Sequence, residues 1–313
     1  CFVYLVLLGI EAQAQEIYKI HRSVRALGMG NAYTAVVKDS DSLFYNPAGI
    51  GINSGVYWTI ADPYVGINGT DSLTELQNFQ NNGDFATALQ NLQGKQIWVG
   101  GGGKSAIRLP YVAFAVYNHI DSSIAVNDTT ESQLQLNYIN DFGYALGFGA
   151  NILPFTYLGI AAHQISRTGT RSVYNPEQVL FEEFDADLNN QGSATALNAG
   201  LTFMIDSFVS PALSFVGYNI GGTEFDLDSG STAPPSDLEE WTVGASMAVD
   251  AGLVSVTPAL DVRFINDDTI TLEKKTHFGV EFGLPLIDVR AGFHQRYWSA
   301  GVGMGFGPLQ IDA

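Results

Sequence analysis

Hydrophobic and polar residues alternate along much of the chain after residue 130. In 133–149, large apolar side chains take most even positions from Leu134 to Phe148, and Gln, Asn, Gly and Ala take most odd ones. A two-residue period places successive side chains on opposite faces of a β-strand. The same period returns in 241–249, 254–264, 276–284, 289–297 and 300–306.

This alternation, interrupted by turn residues, predicts an all-β protein with an antiparallel sheet. The expected strands lie near 55–61, 96–102, 106–119, 132–150, 155–167, 193–206, 211–221, 240–250, 253–266, 274–285, 287–297 and 298–306, and another begins near 308. A closed barrel of antiparallel strands usually has an even strand number. We therefore expect about 14 strands, the last of them incomplete.

The chemistry of the two strand faces separates a membrane barrel from a soluble sandwich. One face is bulky and apolar, whereas the other is Gly, Ala or polar and carries too little charge for a solvated exterior. A transmembrane β-barrel turns apolar side chains to lipid and small or polar ones to its lumen. Aromatic residues near strand ends fit its interfacial girdles: Trp58, Trp98, Tyr111, Trp241, Tyr297 and Trp298.

Composition excludes several classes of protein. The 313 residues carry a formal net charge of −18, and an acidic chain is a poor match to nucleic-acid phosphates. Hydrophobic residues make up 46% of the chain, too many for a disordered protein. One Cys excludes a disulfide scaffold or a Cys-based zinc protein.

The beginning of the chain resembles a truncated signal peptide. An apolar run from Phe2 to Ile10 precedes the small-x-small pattern Ala12-Gln13-Ala14. The run is too short to span a bilayer, which needs about 20 residues. We expect residues 1–14 to be an export signal cleaved near Ala14, and the mature chain to be integral to a Gram-negative outer membrane. The alternative is a buried first strand.

Three connecting segments interrupt the strand pattern. Residues 72–93 predict two short helices broken at Asn82-Gly83, inserted between the first strands. Stretch 169–192 predicts a loop or short helical excursion. Stretch 222–239 is acidic and rich in turn residues, which predicts a surface loop.

No motif in the chain predicts an enzyme, a cofactor or a metal site. Gly100 to Ser105 reads GGGGKS, but the phosphate-binding loop needs Gly six residues before Lys104, where the chain has Trp98. Asp226 to Gly230 resembles the start of a calcium loop but places Gly at a ligand position. Polar groups on the expected lumen face are candidates to contact an inserted segment rather than to catalyse: Asp261, Arg263, His277, Glu281, Arg290, His294 and Arg296.

Residues 25–51, RALGMGNAYTAVVKDSDSLFYNPAGIG, carry the most specific pattern in the chain. Small residues are followed by Asp39 and then by an Asn-Pro-Ala-Gly motif. This stretch resembles the N-terminal hatch of the FadL-type outer-membrane barrel superfamily. Within that superfamily, its sequence most resembles that of PorV-like and TraF-like members. The hatch elements would be Gly28, Gly30, Asp39, Asn46, Pro47, Ala48 and Gly49.

The resemblance implies a barrel of about 14 strands (54–313) plugged by an N-terminal hatch (15–53). It also implies passive uptake of small hydrophobic molecules, fatty-acid-like or aromatic, with sideways release into membrane lipid. The alternative is a PorV-like or TraF-like structural or secretion-associated barrel that binds an envelope protein partner through its loops. The residues themselves do not choose between these two functions.

Overall fold

The structure, a computed structural model, describes residues 23–68, 93, 96–126, 134–174, 187–295, 297–306 and 309–313. Short helices precede the strands: α1 (Val24–Gly28), α2 (Ser42–Tyr45) and a 3-10 helix (Pro47–Gly51). A further helix, α3 (Leu272–Lys275), lies between two late strands. No helix in these ranges is long and apolar enough to cross a membrane.

In the part of the chain that the structure describes, the rest of the fold is one antiparallel sheet of 15 strands. Nearly all neighbours in the sheet are also neighbours in the chain; β2 pairs with β3 beside β1, and β9 pairs with β7. The strands are β1 (Tyr57–Thr59), β2 (Tyr64–Asn68), β3 (Gln96–Leu109), β4 (Val112–Val126), β5 (Leu134–Leu153), β6 (Thr156–Tyr174), β7 (Gln191–Met204), β8 (Val209–Tyr218), β9 (Asp226–Ser229), β10 (Glu240–Asp250), β11 (Ser255–Val262), β12 (Thr276–Gly283), β13 (Ile287–His294), β14 (Tyr297–Phe306) and β15 (Leu309–Asp312).

The burial of side chains along the strands is inverted with respect to a soluble protein. In β5, Phe142, Leu146 and Phe148 are each nearly half exposed, whereas Asp141 and Ala145 on the other face are buried. Four arginines are among the largest fully buried side chains: Arg108, Arg167, Arg263 and Arg290. The predicted alternation is confirmed, and the polar face is the buried one.

One part of this alternation differs from the prediction. Leu134 and Leu136 share the parity of the exposed β5 residues, yet both are buried, in a cluster with Ile97, Val126 and Tyr174. This cluster lies at the end of β3 to β6 that is remote from their tight turns. The apolar face is therefore covered at that end of the sheet.

The two ends of the sheet have different connections. Tight turns at 110–111, 154–155, 205–208, 251–254 and 284–286 join hairpins at one end, called here the short-turn end. The opposite end, called the long-loop end, carries connections such as 219–239 and 263–275.

Several predicted boundaries are wrong. Predicted strands 96–102 and 106–119 are replaced by β3, which continues through Gly100–Gly103 to Leu109, and by β4 after a turn in which Tyr111 has a φ of 69°. The run of glycines has no side-chain alternation and so concealed the strand.

The other corrections concern short or polar strands. The first predicted strand, 55–61, contains the shorter β1, and β2 was not predicted. Stretch 169–192 is not all loop, since β6 extends to Tyr174 and β7 begins at Gln191. Stretch 222–239 contains β9. The predicted signal in 1–14 lies outside the described residues, as does the predicted helical insertion 72–93 except for residue 93.

Candidate functional site

Residues 23–53, called here the N-terminal segment, lie against the buried face of the sheet. At its start, a Cβ on Gly28 would lie 3.1 Å from Cα of Gly301 in β14. At its end, Nη1 of Arg108 in β3 donates a hydrogen bond of 3.1 Å to Ile50 O. One short segment therefore contacts strands near both edges of the sheet.

The Asn-Pro-Ala-Gly motif fixes the middle of this segment. The Asn46 amide donates to Thr34 O at 2.8 Å and to Oγ1 of Thr202 in β7 at 2.9 Å. Its Oδ1 accepts from Ala48 N at 3.1 Å, a local bond to the main chain that Asn side chains commonly form in turns. Pro47 then begins the 3-10 helix, where its missing N–H costs nothing.

Glycines in the strands leave room for the backbone of this motif. A Cβ on Gly159 of β6 would overlap the carbonyl of Pro47, and one on Gly200 of β7 would overlap the Asn46 amide. Within the segment, a Cβ on Gly49 would lie 2.5 Å from Val37 O. The motif and the sheet are therefore complementary at backbone level.

Gly28 and Gly30 make an equivalent contact with the last strands. Gly30 has a φ of 62°, and a Cβ there would lie 2.7 Å from both Phe278 O in β12 and Phe293 N in β13. The ring of His277, also in β12, is hydrogen-bonded through Nδ1 to Gly30 O at 2.9 Å. His294 stacks on His277 with 5.8 Å between ring centroids.

A chain of buried and partly buried charges joins α1 to β12, β13 and β15. Arg25 donates to Glu281 at 2.9 Å from Nε and at 2.6 Å from Nη2. Arg290 donates to the same carboxylate at 2.5 Å and to Asp312 at 2.6 Å. Arg25 also lies 3.4 Å from Asp39. Each charge has a counter-charge, as burial requires.

Asp39 is the acidic residue of the predicted hatch pattern. Its Oδ1 accepts from Asp41 N at 2.9 Å, and its Oδ2 accepts from the Tyr33 hydroxyl at 3.1 Å. Burial raises the pKa of the Asp39 carboxyl, and the Asp41 charge raises it further, while Arg25 lowers it. Through these two hydrogen bonds, Asp39 stabilises a turn of the N-terminal segment by contacts within the segment itself.

Two further contacts fix the segment to the sheet. Lys104 of β3 forms ion pairs of 2.9 Å with Asp41 and 2.8 Å with Asp62. Asp261 of β11 accepts hydrogen bonds of 2.9 Å from the backbone amides of Tyr33 and Thr34. Lys104 of the GGGGKS stretch thus has a structural role in β3.

At the long-loop end, buried Arg167 binds the connection 219–239, and buried Arg263 binds the start of β10. Arg167 of β6 pairs with Asp141 and, through Nη1 and Nη2, with Asp237, at 2.8 to 3.0 Å. Its guanidinium lies 4.3 Å from the ring centroid of buried Phe225. Arg263, which follows the end of β11, forms two hydrogen bonds of 2.7 and 2.8 Å to Glu240, the first residue of β10. The connection therefore folds inward over the buried face.

The structure brings most of the predicted residues together. Asp261, His277 and Glu281 contact the N-terminal segment directly, Arg290 and His294 adjoin it through Glu281 and His277, and Arg263 belongs to the long-loop end. The position of the predicted Arg296 lies outside the described residues. Among the described side chains, no group of three or more His, Cys, Asp or Glu is placed to hold a metal ion.

Sequence reasoning missed the counter-charges of this face. Arg25, Lys104, Asp141, Arg167 and Glu240 were not predicted. Strand parity could have found Asp141, because it falls on the polar face of β5. Their pairings depend on which strands adjoin across the sheet, and periodicity carries no such information.

Comparison of the chain with protein-family models and with curated proteins gave no match.

Proposed function

We propose that this chain is an outer-membrane β-barrel protein whose strands cross the bilayer. The inverted burial of the strands supports this most directly, since exposed Phe and Leu would face lipid and buried Arg and Asp would face the lumen. Exposed aromatic side chains near both ends would lie at the two interfaces. They include Tyr111 and Phe155 at the short-turn end, and Tyr297 and Trp298 at the long-loop end.

In this proposal the sheet closes around the N-terminal segment, which acts as its plug. A single segment that contacts strands from β3 to β14 requires a strongly curved sheet. Asp62 beside the first edge and Asp312 in the last strand are near enough for their charges to interact. Closure also removes unpaired sheet edges, which hydrocarbon does not tolerate.

The geometry best supports the function of a sealed, membrane-embedded scaffold that holds an envelope protein partner. The observation that carries this is the fixed position of the N-terminal segment. Ion pairs from Arg25 and Lys104 and backbone contacts at Gly159 and Gly292 bind it to strands on many sides. The face around it is polar and charged, which does not suit the passage of hydrophobic molecules.

The partner surface would lie on the exposed part of the connection 219–239. Asp226, Leu227 and Asp228 of β9 are exposed, while Phe225 and Asp237 on either side anchor the connection. We expect the triple variant D226N/L227S/D228N to lose a partner that co-purifies with the native chain after crosslinking in cells. Leu253→Ser, at an exposed site in a short turn remote from this connection, is the matched control.

Retention of every crosslinked partner by the triple variant, or its loss by Leu253→Ser as well, would contradict the assignment to this connection. The folded state of each variant is checked by heat-modifiable migration, which reports the barrel independently of any partner.

Uptake of small hydrophobic molecules is a second candidate, favoured by one observation. An apolar concavity of about 500 Å³ lies outside the wall, lined by Leu272, Glu273, Thr276, Phe278 and Phe293. It could receive a ligand released sideways towards lipid. A deletion strain should then take up a labelled alkylbenzene or fatty acid more slowly than the complemented strain. Equal uptake by the two strains would count against this function.

A further inference from the structure

A cavity of about 200 Å³ lies between the N-terminal segment and the short-turn end of the sheet. Its wall includes Ser210 at the start of β8, Ala248 near the end of β10 and Thr257 near the start of β11. The segment contributes Val36 and Lys38. The cavity is therefore built from one side by the segment and from the other by strand ends.

Among the described residues of this wall, Lys38 is the one basic group whose charge is not neutralised by a neighbouring ion pair. Arg25, Asp39 and Glu281 also line the cavity, but they pair with one another. Lys38 forms no ion pair or hydrogen bond with any of the described residues. Asp206 acts on it electrostatically without forming an ion pair, and burial lowers the pKa of the Lys38 ammonium.

We propose that this cavity binds a small monocarboxylate, whose carboxylate pairs with Lys38. The hydroxyl group of Thr257 lies in the same wall, whereas that of Ser210 already donates to Ser207 O. Ala35, Val36, Ala212 and Ala248 provide small apolar walls. The space of about 200 Å³ accommodates about seven non-hydrogen atoms, given about 30 Å³ for each water molecule in the liquid. A long acyl chain does not fit.

The charges around the cavity select the type of anion. A dianion such as phosphate would meet only one uncompensated cation and would be repelled by Asp39 and Glu281. A monocarboxylate needs only one ammonium partner, and a charge-assisted hydrogen bond to Lys38 is the strong kind. The site uses no outward-facing residue, so it is independent of membrane insertion and of any protein partner.

The test is titration calorimetry of the full chain in detergent with butyrate, its neutral amide butyramide, and inorganic phosphate. We expect butyrate to bind and the other two to bind at least about tenfold more weakly, because a hydrogen bond to a charged group is lost or opposed. Lys38→Met should weaken butyrate binding by a similar factor, and Lys274→Met, at a distant helix, should leave it unchanged.

A second variant keeps the lysine and fills the space. Ala248→Leu should also abolish butyrate binding, which protects the conclusion if Lys38→Met fails to fold. Butyrate affinity should also fall when the pH is raised through the lowered pKa of Lys38, because only the ammonium form pairs with the carboxylate. Equal binding of butyrate and butyramide, unchanged binding by Lys38→Met, or absence of butyrate binding to the native chain would each overturn the proposal.

Discussion

Gly159 illustrates at the scale of a single residue how the segment and the sheet fit. Its Cα faces the carbonyl of Pro47, and any side chain there would occupy the volume of that backbone group. The sequence shows an excess of glycine and the Asn-Pro-Ala-Gly motif separately. It cannot show that the two meet, because that contact joins residues more than a hundred positions apart.

We expect Gly159→Ala to destabilise the folded protein by about 1–3 kcal/mol, the usual cost of overpacking, since backbone on both sides resists movement. Gly305→Ala is the matched control, because a Cβ there meets no heavy atom within 4 Å. Urea unfolding in detergent, followed by tryptophan fluorescence, measures both. Equal stability of the two variants would show that the segment does not pack against β6 as described.

At the scale of secondary-structure elements, the alternation of hydrophobic and polar residues predicted most strands. Strands that lack this alternation were divided or missed. The strands after residue 130 were found because large and small residues alternate there. β3 was divided in two because Gly100–Gly103 present no side chains to alternate, and β9 was missed because four exposed residues in an acidic connection resemble a loop.

The same limit explains which charges of the candidate site were predicted. Asp261 and Glu281 fall on the polar face of clearly alternating strands, so their position follows from parity. The pairing of Arg167 with Asp237 joins β6 to a connection 70 residues away, and only the folded sheet brings them together. Buried arginines can be predicted to need partners, but periodicity does not say which ones.

Asp237 should control the order of the connection that contains β9. Its carboxylate accepts two hydrogen bonds from Arg167, which is fully buried. We expect Asp237→Ala to weaken the anchoring of this connection by about 1.5–3 kcal/mol, the value of hydrogen bonds to a charged group. Faster protease cleavage within 226–233 would report the change, and Asp141 would still neutralise Arg167.

Asp228→Ala is the control for this prediction, since Asp228 lies in the same connection but its side chain is exposed and accepts a long hydrogen bond of 3.5 Å from Ser193. Its cleavage rate should match that of the native chain. Similar acceleration in both variants would mean that net charge, rather than the contact with Arg167, determines the order of this connection.

At the scale of the whole molecule, the distribution of apolar residues bears on whether water or lipid surrounds the sheet. Large apolar side chains exposed along β4 to β8 and again along β12 to β14 would form an unusually extensive apolar surface in water. In a bilayer the same surface is stabilising, while the charged face is protected from lipid by the sheet itself. The net charge of −18 need not oppose this, because acidic connections at the ends of the strands would lie in water.

Leu146→Arg tests this arrangement directly. Leu146 is 46% exposed in the middle of β5, where the proposal places hydrocarbon. We expect the substitution to destabilise the bilayer-inserted protein by about 2–4 kcal/mol, the cost of arginine near the midplane of a transmembrane barrel. Leu253→Arg should cost almost nothing, because Leu253 is 76% exposed in a short turn outside the strands. Reversible unfolding from phospholipid vesicles measures both variants, and equal tolerance of the two arginines would contradict a lipid-facing surface on β5.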